Sequence, residues 1–344
     1  MLKLPSWLAV PLALPVATAV PGPAEAVLAS GLRATNLRCE YRVNPLGVDT
    51  PRPRLSWVLE SERRGEVQTA YRVLVASDAE TLAKGQGDLW DSGKVASARS
   101  AQVEYAGRPL AAGQRVFWKV RLWGREDAPS PWSAPAYWQT GLPTPADWHG
   151  EWISADEAAE PGFAAILLRK TFQLAKPVVR ATASVCGLGY HELFLNGQRI
   201  GDHQLDPGFT RYDRRLLYVT HDVTGALRPG ENALGVRLGG GWYRLATPDL
   251  FGFQAAPWTA PPKLLLQLDL VHADGTTSRV VSDRSWKWAT GEITFNCVRG
   301  GETHDLRLAR PGWTSPAYAD ADWHAVVVQP PLASPSSEKV GEPN

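Results

Sequence analysis

Methionine occurs once in this 344-residue chain and cysteine three times, and the cysteines stand far apart. No CxxC or CxxH pair exists, so a zinc site of the usual spacing is excluded. A surplus of one charge sign is missing too: 36 Lys and Arg stand against 35 Asp and Glu, a formal net charge of +1. With no charge run or basic stripe, nucleic acid is excluded as a partner. The longest apolar run, Trp7 to Val20, falls short of the roughly 20 residues that a membrane-spanning helix needs. GxSxG is absent, which removes that serine-nucleophile signature. Gly239-Gly240-Gly241 is followed by Trp-Tyr-Arg, not by Lys-Ser/Thr, so a phosphate loop is excluded as well.

What is present points to strands and turns. Gly 31, Pro 28 and Trp 15 describe a chain rich in turn formers and aromatics, hence mostly β architecture. The length suggests two or three domains, each able to bury its own core. Met1 to Ala26 has a secretory layout: Lys3, the apolar run, then Ala24-Glu25-Ala26 as a small-x-small cleavage site. This predicts a secreted or periplasmic protein; the alternative is a disordered N-terminus rich in Ala and Pro. Cys39, Cys186 and Cys297 permit at most one disulfide, and their apolar surroundings favour buried free thiols.

Two modules are legible. Asn36 to Leu142 carries Leu55–Leu59, Ala70–Val75 and Val116–Trp123 as strand text. Period two places Val116, Trp118, Val120 and Leu122 on one face. This predicts a fibronectin-III-like or immunoglobulin-like sandwich over 36–142 with Trp57 in its core. Pro143-Thr144-Pro145 marks a linker, and Trp148 opens a second module running to about Pro330. The tail, 331–344, reads as a linker cut short.

The richest stretch is Gly189 to Tyr243. Asn196-Gly197 supplies the positive-φ geometry of a tight hairpin; Asp206-Pro207-Gly208 reads as a second turn, with proline presetting φ and Gly208 accepting the left-handed position, and Pro229-Gly230 as a third. The glycine run at 239–241 lets the backbone come close to a neighbour just before Trp242 and Tyr243. The phrases GYHELFLNGQRIGD, LDPGFTRYDRRLLYVTHDVT and LGGGWY resemble the N-terminal modules of bacterial α-L-rhamnosidases, glycoside hydrolase family 78. The resemblance runs from Asn36 to about Pro330. It implies an all-β chain whose second sandwich is a jelly roll of galactose-binding type. It also implies that the catalytic α/α barrel, which in the family removes terminal α-L-rhamnose with inversion, lies beyond Asn344. This chain is therefore expected to be inactive alone, with no catalytic residues of its own and a barrel of a longer chain as its partner.

A sugar site needs flat aromatic faces against pyranose C–H groups, with carboxylates, amides or guanidinium groups for the hydroxyls. Tyr212, Asp213, Arg214, Trp242 and Tyr243 supply these types, with Phe209 and Trp258 as contributors; a rhamnose-containing carbohydrate is the expected ligand. The competing expectation makes Trp242 and Tyr243 core residues of the sandwich. Asp202, Asp206, Asp213, Glu302 and Asp305 are the available carboxylates, but their turn contexts argue against the paired acid and base of a hydrolase. His191 and His203 read as strand and turn residues. No cofactor is expected. Calcium, used by some family members, would draw on Asp206, Asp213, Asp249 and Asn232, which no local DxDxDG run preassembles, so no metal ligands are assigned.

Overall fold

A computed structural model describes residues 31–156, 158–159 and 162–330, and the strand Glu338–Gly341. The leader-like segment 1–26 lies outside the described residues. The chain is all-β, in two sandwiches.

In the first, Leu32–Cys39, Arg54–Ser61 and Val103–Glu104 make a three-stranded sheet. It faces a second sheet in which Ala70–Ala76 pairs antiparallel with Arg115–Trp123, and that strand with Ala136–Gln139. The alternation read from 116–122 places its residues as expected. Val116, Trp118, Val120 and Leu122 are fully buried, and together with Trp57, Val73, Val75 and Trp138 they fill the space between the sheets. Trp57 satisfies its indole N–H on the Gln68 side-chain oxygen at 2.9 Å, as a buried donor must.

The second sandwich opposes a six-stranded sheet to a seven-stranded one. The six-stranded sheet runs Gln198–Ile200, Tyr190–Leu195, Gly230–Gly239, Ile166–Leu174, Lys287–Thr290, His324–Ala325. In the other, Val178–Leu188 pairs with Lys263–His272 on one side and Arg215–Asp222 on the other. Leucines at 264, 266 and 268 meet Leu193, Leu195, Leu234, Val236 and Leu238 across the core, with Trp286 and Trp288 closing it. The segment read as a linker also contributes: Glu338–Gly341 adds a parallel strand beside Arg215–Tyr218.

Turn chemistry explains the hairpins. Asn196 and Gly197 take φ of 52° and 85°, and Leu195 pairs with Gln198 across them. Asp206-Pro207-Gly208 departs from expectation. Leu205, not Gly208, holds the left-handed position (φ 60°), and the Asp206–Pro207 bond is cis.

The sandwiches meet through a hydrogen-bonded junction. The Tyr218 hydroxyl donates to Asp49 Oδ1 at 2.6 Å and accepts the Leu142 backbone N–H at 2.7 Å. A Cβ at Gly141 would lie 1.9 Å from Asp49 Oδ1 and 2.1 Å from that hydroxyl, so only glycine fits between them. Arg115 also reaches Asp222 at 3.2 Å, and the Gln139 amide donates to the Thr182 hydroxyl at 3.2 Å.

Candidate functional site

All three cysteines are buried, and among the described residues none is joined in a disulfide. The five residues expected to form a sugar surface do not converge. Tyr212 and Tyr243 are 1% and 0% exposed. Their rings meet edge to face, 5.4 Å between centroids, with Trp258 6.0 Å from Tyr212. They belong to an aromatic cluster with Trp148, Trp152 and Tyr218. This is a correction: their faces are spent on one another and offer nothing to a ligand. Burial pushes both phenols up, out of the ordinary tyrosine range.

Asp213 and Arg214 are diverted differently. Arg211, in the same turn, clamps Asp213 with Nε at 2.8 Å and Nη2 at 3.0 Å, holding the carboxyl below its usual range. Arg214 is exposed and stands 3.9 Å from the same carboxylate. Neither joins the aromatics.

Trp242 has a different situation. It is partly buried, with Phe209 and Phe253 each 5.6 Å away and the Arg299 guanidinium 5.4 Å over its ring. It lines a cleft of about 690 Å³. The cleft lies along Tyr190–Leu195 and Gly230–Gly239, beneath the hairpin formed by Ile293–Cys297 and Gly301–His304.

Register builds the polar floor of this cleft. Glu192 stands directly across from Arg237, and both point away from the apolar core because their neighbours Leu193, Val236 and Leu238 point into it. Arg237 Nη1 donates to Glu192 at 3.1 Å and Nη2 to Glu292 at 2.6 Å, while Arg199 approaches Glu192 from the other side at 3.2 Å. Each charge is held by another, which fixes donors and acceptors in place before a ligand arrives. Glu302 and His304 meet at 2.8 Å at the cleft's edge.

The glycine run has a structural cause. A Cβ on Gly189 would lie 2.0 Å from the Gly239 carbonyl oxygen, and one on Gly241 (φ 53°) would lie 3.0 Å from the Gly189 carbonyl carbon. Asn296 pins the run by accepting the Gly240 N–H at 2.7 Å and donating to the Phe163 carbonyl at 2.8 Å. The backbone approach read from the sequence is therefore to another backbone, and it sets Trp242 at the cleft.

The remaining acids are scattered. Asp305 caps the turn Leu306–Leu308 and pairs with Arg307, Asp202 is fully exposed, and Asp206 lies 3.3 Å from His203. Asn232 is spent on the backbone of Arg228 and Gly230 and on Asn196. Asp249 accepts from its own loop and pairs with Arg299. The four suggested calcium ligands thus sit in separate local networks, and among the described residues no group of three or more acids, histidines or cysteines is placed to hold a metal ion. Sequence reasoning missed Glu192, Arg237 and Asn296.

Residues 34–144 match the family model described as the Rha78A-like N-terminal immunoglobulin domain, and residues 176–343 that of the alpha-L-rhamnosidase N-terminal domain. The chain belongs to the α-L-rhamnosidase family, as the N-terminal part of its members. An α-L-rhamnosidase of Formosa agariphila is 37% identical over 312 residues, covering 81% of this chain and 32% of its own length. The chain thus spans about a third of the length of three curated α-L-rhamnosidases that it matches. The solved α-L-rhamnosidase from Dictyoglumus thermophilum superposes with a TM-score of 0.82 at 36% identity, over 90% of this chain and 35% of that one. The Streptomyces avermitilis α-L-rhamnosidase, solved in complex with L-rhamnose, gives 0.80 at 29% identity, over 88% and 45% of the two chains. For the first sandwich the matched description is immunoglobulin rather than fibronectin type III.

Proposed function

We propose that this rhamnosidase segment, in an exported protein, holds a rhamnose-containing carbohydrate in the cleft beside Trp242 and positions it for a catalytic domain. What supports this is the juxtaposition of an aromatic wall with the fixed Glu192–Arg237 pair in a cleft of about 690 Å³, the mixture by which sugars are recognised. The segment orients and does not cut. Glu192 is bridged by two guanidinium groups, and Glu302 pairs with a histidine at the edge, so no carboxyl pair stands ready as acid and base. An aryl α-L-rhamnoside incubated with the chain should release no aryl alcohol; turnover comparable to an intact rhamnosidase would end this reading.

A second reading, a brace that docks on a catalytic domain without holding sugar, draws on the rim. Leu250, Phe251 and Leu205 are 92%, 69% and 64% exposed next to the same aromatics, an apolar edge of the sort that protein faces cover. Titration with L-rhamnose, followed by tryptophan fluorescence, separates the two. A saturable change lost in Trp242→Ala supports sugar binding, whereas no response up to high millimolar sugar favours the brace.

A further inference from the structure

A second groove, of about 490 Å³, runs between the two sandwiches and is independent of the cleft beside Trp242. Its floor is the outward face of the seven-stranded sheet, where Arg180, Thr182, Gln267, Asp269 and Arg279 project, and Gln139 of the first sandwich closes one side. Most of these polar groups already answer one another. Asp269 accepts from Arg279 Nε at 2.5 Å and from the Gln267 amide at 2.9 Å. Asp147 is taken by the backbone N–H and hydroxyl of Thr144 at 2.8 and 2.6 Å. Asp222, just beyond the groove, is held by Arg115 and Thr224.

Two donors are left over. The partly buried Arg180 guanidinium makes no hydrogen bond or ion pair among the described residues, nor does the exposed His149 ring. Burial holds Arg180 below the usual arginine range; neighbouring Arg115 adds to this and Asp222 opposes it. A partly buried cation whose acidic neighbour, Asp222, is already held by Arg115 and Thr224 is an unfavourable arrangement that an incoming anion relieves. The guanidinium fork matches carboxylate and sulfate with two parallel N–H···O bonds.

We propose that this groove is an oxyanion site, in which Arg180 takes a carboxylate or sulfate group of a small ligand and His149 contributes a second donor. The test is calorimetric titration of the chain with sodium glucuronate and with sodium sulfate, in chloride buffer of matched ionic strength, with glucose as the neutral control. Saturable binding of either anion, weakened tenfold or more in Arg180→Gln and partly kept in Arg180→Lys, is expected. The anion that binds then identifies the group, carboxylate or sulfate. Binding of glucose as strong as that of glucuronate, equal affinity in Arg180→Gln, or no heat with either anion would overturn the proposal. If Arg180→Gln fails to fold, Arg180→Lys decides: unchanged affinity for both anions rules out the two-pronged contact.

Discussion

Trp242 and Tyr243 are neighbours in the chain and opposites in circumstance. Both follow the same glycine run, and both touch the same aromatic cluster, yet Tyr243 is wholly enclosed while Trp242 keeps part of its ring on a cleft. The two residues lie in a turn closed by the Arg244 N–H on the Gly240 carbonyl at 3.0 Å, where successive side chains leave the backbone in different directions, so one residue pair can serve a core and a surface at once. The difference shows that aromatic identity says little about role here. What decides is which way the backbone, pinned by Asn296, sends each ring.

The largest contrast comes from truncating each ring. Tyr243→Ala leaves a cavity in a packed cluster and should lower unfolding free energy by about 3–5 kcal/mol. Trp242→Ala, which keeps water on one side, should cost only about 1–2 kcal/mol. Urea denaturation of both variants measures this, and equal losses would erase the distinction between core and cleft.

Acid should act next, and on the enclosed side. Burial lowers the pKa of His191 to about 3 and of His221 to about 4; His221 adds to the first and His203 to the second. The unfolded chain takes up protons on both rings as pH falls through about 6.5, while the folded chain does not until near 4 and below. Stability is therefore complete above pH 6.5 and should fall steadily from there toward pH 4. A urea midpoint that stays level across that range would refute the enclosure of these rings.

Smaller again is the junction. Tyr218→Phe removes a partner from Asp49 and from the Leu142 N–H in a buried setting, for about 1–3 kcal/mol. The smallest effect sharpens the opening contrast. Among the described residues the Tyr243 hydroxyl has no hydrogen-bond partner, so Tyr243→Phe should change stability by less than about 1 kcal/mol. A large loss would reveal a bridging water that the ring depends on.

Much of the fold was legible because period two and turn chemistry are local. Val116 to Leu122 announces its buried face in its own alternation, and Asn196-Gly197 announces a hairpin. The candidate site was less legible. Glu192 and Arg237 are 45 residues apart and meet only through strand register, which no local stretch of text encodes. Tyr212 looked like a binding residue because loop sequence is the same whether the loop turns its ring inward or outward. Asp213 looked available because its captor, Arg211, seemed merely a neighbour. Gly208 was credited with a positive φ that Leu205 holds instead.

The lock at Gly141 has a mechanical consequence. A flexible tether lets the object at its end wander through a volume that grows with tether length, and local abundance falls accordingly. Here the Tyr218–Asp49 contact and the side-chain-free Gly141 bring the two sandwiches into close contact at their joint. The pair acts as a cantilever: whatever grips the first sandwich also sets the bearing of the cleft on the second. A bulkier residue at 141 would push Asp49 and the Tyr218 hydroxyl apart and loosen the bearing of the second sandwich on the first.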